Sequence, residues 1–106
     1  MTNRTNLSYN IAMIKNYNET TAYKIRTLSR EREQASEKEK PKYTLAINLL
    51  ELRNAAQKSQ TEAAQALGVN QRNITRWETA ESTPSLWHLI AFARYYETTV
   101  DRLITP

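Results

Sequence analysis

Leu45, Leu49, Leu52 and Ala56 recur at i, i+4, i+7 and i+11, a spacing that lines one face of an α-helix. Thr44 is placed to cap its start. Ser59 then stands three residues before Glu62, the capping-box arrangement, so a second helix is predicted over Gln60–Leu67. Gly68 follows at the point where a helix end takes a left-handed residue. Asn70 can cap a third helix, Gln71 to about Thr79. Thr83-Pro84 reads as a cap followed by proline at the first helical position. It opens a fourth helix, to about Tyr96, expected to bury Leu86, Leu89, Ile90 and Ala93. Thr99 caps a short fifth helix holding Val100, Leu103 and Ile104.

Upstream the pattern thins. Leu7, Ile11 and Ile14 sit at i, i+4 and i+7, which suits a short helix, but the segment is rich in asparagine, which competes with the helical backbone. From about Glu19 to Lys38 the residues are good helix formers, yet only Ala22, Ile25 and Leu28 offer an apolar face. That helix is expected to be exposed or packed on a partner. Pro41 follows the charged run Arg30 to Lys40 and marks the expected boundary between an N-terminal extension, residues 1–43, and a domain, residues 44–106.

Composition agrees with an all-α reading. The chain holds one glycine and three prolines, the residues that most often interrupt helices. It has no cysteine and a single histidine, His88, so neither a disulfide nor a zinc site is expected. No cofactor is implied. No apolar run is long enough to span a membrane, and Arg4 with the patch Ile11–Ile14 lacks an adjacent small-residue cleavage site. A soluble, cytoplasmic protein is therefore expected. Nothing resembles a nucleophile–base pair, a ligand cluster or a glycine-rich phosphate loop, so no enzyme is expected. Charge is distributed unevenly. Residues 1–43 carry nine Lys/Arg against five Glu, whereas residues 44–106 carry six of each sign.

The segment Gln60 to Glu78 has helix-turn-helix form. Such a motif needs a small residue where the helices cross, a turn residue tolerant of positive φ, and apolar residues that lock the second helix onto the first. Ala64, Gly68, and Val69, Ile74 and Trp77 supply these in turn. The remaining face of the third helix carries Gln71, Arg72, Asn73, Thr75 and Arg76, side chains able to read base edges in a major groove.

On these residues the chain resembles the Cro/C1-type helix-turn-helix family of phage repressors and bacterial regulators. Ser59-Gln60, Gly68-Val69, Ile74-Thr75-Arg76-Trp77-Glu78, Pro84-Ser85-Leu86 and Val100-Asp101-Arg102-Leu103 all stand at family spacing, over about Leu45 to Ile104. The resemblance implies a five-helix bundle with the third helix as the recognition helix; the N-terminal extension, expected to be helical, has no counterpart in the family pattern. It implies base reading by Gln71, Arg72 and Arg76 and a phosphate contact from Gln60. Asn73 is read as a further base contact, and Ser59, Asn70, Thr75 and Thr79 as further phosphate contacts. Lys58, which replaces the family's apolar residue, could also reach a phosphate. The resemblance further implies a partly buried ion pair between Arg53 and Glu78. Thr79-Ala80 and Glu97 depart from the family pattern, which places glycine after the glutamate and before Thr98. The loop before the fourth helix is thus expected to take another path.

The expected function is sequence-specific binding of double-stranded DNA by a dimeric transcriptional regulator or repressor of phage or mobile-element type, acting on a palindromic operator. Two alternatives remain. One is an antitoxin-type autoregulator whose residues 1–43 bind a protein partner. The other is a protein-binding inhibitor built on the same scaffold, a reading kept open by the neutral charge of residues 44–106. Trp77 reads as core, Trp87 as a surface or dimer contact, and His88 as a helix-surface residue without a special role. Residues 1–43 could add attraction for DNA through Lys24, Arg26, Arg30 and Arg32, opposed by Glu31, Glu33, Glu37 and Glu39, or serve as a dimerisation or partner-binding arm through Leu7, Ile11, Ile14, Ile25 and Leu28.

Overall fold

The computed structural model describes residues 19–106; the helix expected around Leu7 to Ile14 lies outside them. Among the described residues there are six helices and no strand: α1 (Glu19–Gln34), α2 (Lys40–Ala56), α3 (Gln60–Leu67), α4 (Gln71–Glu78), α5 (Leu86–Tyr95) and α6 (Val100–Ile104).

α2 is the organising helix, and it starts earlier than Thr44. Pro41 occupies its first turn, where the missing N–H is not needed and the fixed φ is already helical. Thr44 is therefore not a cap. It is buried within α2, and its Oγ1 accepts a hydrogen bond from Arg32 Nη1 at 3.1 Å. The 43/44 boundary drawn from the sequence thus falls inside a helix.

α2 is buried on two opposite faces. Leu45 and Leu49 join Ala63, Ala64, Ile74, Trp77, Phe92, Ala93 and Leu103 in the larger apolar cluster, with Leu52 packed at its edge. Ala46, Ile47 and Leu50 join Leu28 and Ala80 in a second cluster, flanked by Ile25 and Tyr43. A helix apolar all round belongs inside. Ala56, expected on the stripe, is exposed.

This corrects the expectation for the extension. α1 is not free: Leu28 and Thr21 are buried, and Leu28 packs on α2. α1 ends at Gln34 rather than Lys38, because the chain reverses through residues 35–39 to run into α2. Ion pairs Lys40–Glu37 at 2.7 Å and Lys42–Glu39 at 2.6 Å brace that turn. At the other end, Asn48 ties the C-terminal residues to α2, its amide donating to the carbonyls of Leu103 at 2.8 Å and Thr105 at 2.9 Å.

α5 also begins differently. Its cap is Ser85, whose side chain accepts from the His88 N–H, and Pro84 lies before the helix and is buried. Shifting the start places Leu86 at the surface, 61% exposed, and makes Phe92, 1% exposed, the large buried residue of α5. Ile104 is likewise exposed rather than core.

Among the described residues four hold positive φ: Gln57, Gly68, Ala80 and Glu97. A Cβ at Gly68 would meet nothing within 4 Å, so its φ of +70° is the whole demand for glycine. Ala80, φ +63°, and Glu97, φ +55°, adopt the left-handed geometry that a glycine would take more cheaply. The loop before α5 therefore keeps a left-handed residue despite losing the glycine, because the Ala80 methyl is buried beside Leu28 and Leu50.

Candidate nucleic-acid interface

The pair α3–α4 is set by local chemistry. Ser59 Oγ accepts from the Glu62 N–H at 3.0 Å, and Glu62 Oε1 accepts from the Ser59 N–H at 2.8 Å. Both bonds fix the start of α3. Gly68 ends it, with the Val69 N–H bonded to the Ala64 carbonyl at 3.0 Å. Asn70 Oδ1 accepts from the Arg72 N–H at 2.8 Å and starts α4.

One side of α4 faces inward. Ile74 is fully buried and Trp77 is 6% exposed. The Trp77 ring meets Phe92 edge-on at 5.7 Å and lies 5.1 Å from His88. His88 is thus a half-buried packing partner rather than a plain surface residue. The outward side carries Gln71, Arg72, Thr75, Arg76 and Thr79, all exposed, with Asn73 half-buried. Lys58, Ser59 and Asn70 are exposed at the flanking helix ends, and Gln60 is half-buried.

A buried ion pair anchors this surface. Glu78, 1% exposed, accepts from Arg53 Nε at 2.7 Å and from Arg53 Nη2 at 3.0 Å. The fork joins α2 to the end of α4, and Arg53 Nη1 also donates to the Lys58 carbonyl at 2.9 Å. Burial works against the Arg53 charge, but hydrogen bonds to Glu78 and its negative charge outweigh that cost, so the guanidinium pKa lies above its usual value. Burial, followed by the Glu78 charge, pushes the nearby Tyr96 phenol up, so it stays neutral.

From Glu78 a polar chain runs to the surface. Gln60 Nε2 donates to Glu78 Oε1 at 3.0 Å. Gln60 Oε1 accepts from Gln71 Nε2 at 3.2 Å and from Thr75 Oγ1 at 3.1 Å. Thr61 Oγ1 donates to Gln71 Oε1 at 3.1 Å. Gln71 is thereby held at both ends of its amide, and Gln60 points its amide inward. The Thr79 hydroxyl donates back to the Thr75 carbonyl at 3.0 Å. Among the described residues Arg72 enters no ion pair, whereas Arg76 Nε lies 3.9 Å from Glu81. Sequence reasoning missed Thr61 and Glu81. The one signal for them is position: Thr61 is in the first turn of α3, and Glu81 follows α4 by one turn. Among the described residues no cluster of His, Cys, Asp or Glu could hold a metal ion, and no helix is long and apolar enough to cross a membrane.

A solvent-facing row of amide and guanidinium groups sits on a short helix, braced from behind by a second helix across a left-handed turn. That arrangement is a helix-turn-helix. A family model described as a helix-turn-helix domain matches residues 44–103, more than half of the chain. The chain belongs to this helix-turn-helix family. Membership accords with the Cro-like resemblance and supports DNA binding and regulation. Proteins of this helix-turn-helix family are typically not enzymes. No curated protein and no solved structure matches the chain.

Proposed function

We propose that this helix-turn-helix protein is a transcriptional regulator, a repressor of phage or mobile-element type, that binds a palindromic operator as a dimer. The carrying observation is the outward row Gln71, Arg72 and Arg76 on α4, a helix whose inner side is locked by Ile74, Trp77 and the Arg53–Glu78 fork. A rigid helix presenting bidentate donors suits the major groove: arginine reads guanine, and glutamine reads adenine. In this reading Asn73 reads an adjoining base, and Lys58, Ser59, Gln60, Asn70, Thr75 and Thr79 hold phosphates on either side. Residues 44–106 make the DNA contact, and α1 braces them from behind α2.

Selection from a random duplex pool, followed by binding of Arg72→Ala, Arg76→Ala and Gln71→Ala to the selected site, tests it. Each arginine variant is expected to lose about 1–3 kcal/mol of discrimination at a guanine. Three variants that bind like the parent would remove α4 from the interface. A second reading, a protein-binding module on the same fold, is favoured by the equal numbers of acidic and basic residues in 44–106. A chain that selects no duplex sequence and shifts no DNA in a gel would favour that reading.

A further inference from the structure

The sequence of α5, Leu-Trp-His-Leu-Ile-Ala-Phe-Ala-Arg-Tyr, contains no acidic residue and only one charge, Arg94. Its inner side is occupied by Phe92 and Ala93 in the larger cluster. The opposite side should therefore be polar, and it is not. Trp87 is 78% exposed and Leu86 is 61% exposed, the former the most exposed large apolar residue described. Ile90 and Ala91 are half-buried and Arg94 is exposed. At helical spacing Trp87, Ile90, Ala91 and Arg94 fall together, opposite Phe92. Among the described residues Arg94 enters no ion pair.

We infer that this outer face of α5 pairs with the same face of a second copy, the two α5 helices running antiparallel about a two-fold axis between Ile90 and Ala91. The inference rests on the dimer reading above and names the surface it uses. The distribution of charge selects the occupant. Trp87 and Arg94 lie seven residues apart, about 10 Å along the helix. Antiparallel pairing brings each Trp87 ring opposite Arg94 of the other copy, where a guanidinium over an indole face is attractive. Parallel pairing would set arginine against arginine. A self-complementary patch of this kind is what a two-fold interface requires. α4 packs on the inner side of α5 through Trp77, so both copies of Arg72 and Arg76 stay uncovered.

Sedimentation equilibrium of the full chain tests the pairing. The parent is expected to associate reversibly to a dimer. Trp87→Ser should weaken that association roughly tenfold or more, Trp87→Phe should restore much of it, and Tyr23→Ser on α1 should leave it unchanged. Helical circular dichroism and dilute melting should match the parent in all three. The chain has no cysteine, so Ala91→Cys gives a single thiol near the axis, expected to oxidise to a linked dimer, unlike Gln65→Cys on α3. A monomeric parent overturns the inference, as does a dimer indifferent to Trp87→Ser, or linkage at Gln65→Cys instead. A monomer whose melting falls in Trp87→Ser would place residues 1–18 of the same chain on the patch, and also overturns it. A dimer that binds no DNA leaves the pairing standing and removes the regulator reading. A monomer that binds its site does the reverse.

Discussion

α2 is buried twice, and the two burials differ in kind. Its Leu45–Leu49 face meets four other helices and is tied down by polar chemistry: the Arg53–Glu78 fork, the Gln60 bridge and the Asn48 amide. Its Ala46–Leu50 face meets one helix, α1, and one turn residue, Ala80. The first burial fixes the α3–α4 pair and its exposed face. The second covers an apolar face that the helix-turn-helix would otherwise leave in water, and it does so with a segment outside the matched residues 44–103.

The largest effect should come from unpairing the fork. Arg53→Met leaves Glu78 buried without its charge partner, a change expected to cost about 3–5 kcal/mol in denaturant unfolding. Arg53→Met with Glu78→Gln should recover part of that, since a neutral pair leaves no buried charge. A cycle with no coupling would mean that the larger cluster is held by packing alone.

Leu28→Ala probes the other face. Removing a side chain that is 4% exposed should cost about 2–3 kcal/mol. The decisive readout is hydrogen exchange. If the clusters are separable, amides of α1 lose protection while those of α3 to α5 keep most of theirs. Equal loss in both would make the two clusters one cooperative unit and break the distinction.

The left-handed residues sharpen it further. Glu97 is exposed, so Glu97→Gly should relieve backbone strain and stabilise the chain by about 1 kcal/mol. Ala80 has the same geometry but a buried methyl in the smaller cluster, so Ala80→Gly should gain little. Paired thermal melts check the contrast. A clear gain at Ala80 would mean that its methyl contributes no packing.

How far the sequence revealed this depended on the range of each interaction. α3 and the start of α4 are written in adjacent residues, Ser59 with Glu62, Gly68, and Asn70 with Arg72, and the structure puts them where the spacing does. The second face of α2 was hidden because Ala46, Ile47 and Leu50 interleave in sequence with the Leu45–Leu49–Leu52 stripe, so that two opposite faces read as one apolar run. The start of α5 was misjudged because Pro84 is taken into the protein interior, leaving Ser85 to cap. The ties of Gln71 to Gln60 and Thr61 join residues ten and eleven positions apart, across two helices, where no periodic pattern reaches.

The smallest effect tests the two regions through acid. Glu62 is held below the usual glutamate value of 4.5, chiefly by the Ser59 backbone N–H and then by its hydroxyl. Glu37 and Glu39 at the α1–α2 turn are lowered too, by hydrogen bonds and charge from Lys40 and Lys42 respectively. In each case the folded pKa is depressed. The stabilisation is therefore complete above the unfolded value and is lost as pH falls through the folded one, a window that opens just under 4.5. All three groups are exposed, so each effect is a small shift in melting temperature. Salt separates them. Concentrated sodium chloride screens the two surface ion pairs but barely touches a cap bonded to its own backbone. Glu62→Gln should therefore flatten the acid dependence in low and high salt alike, whereas Glu37→Gln with Glu39→Gln should flatten it in low salt only. If high salt erases the Glu62 contribution as well, the start of α3 is held by charge rather than by its cap. The α3–α4 pair would then depend on the same screened attraction as the turn that joins α1 to α2.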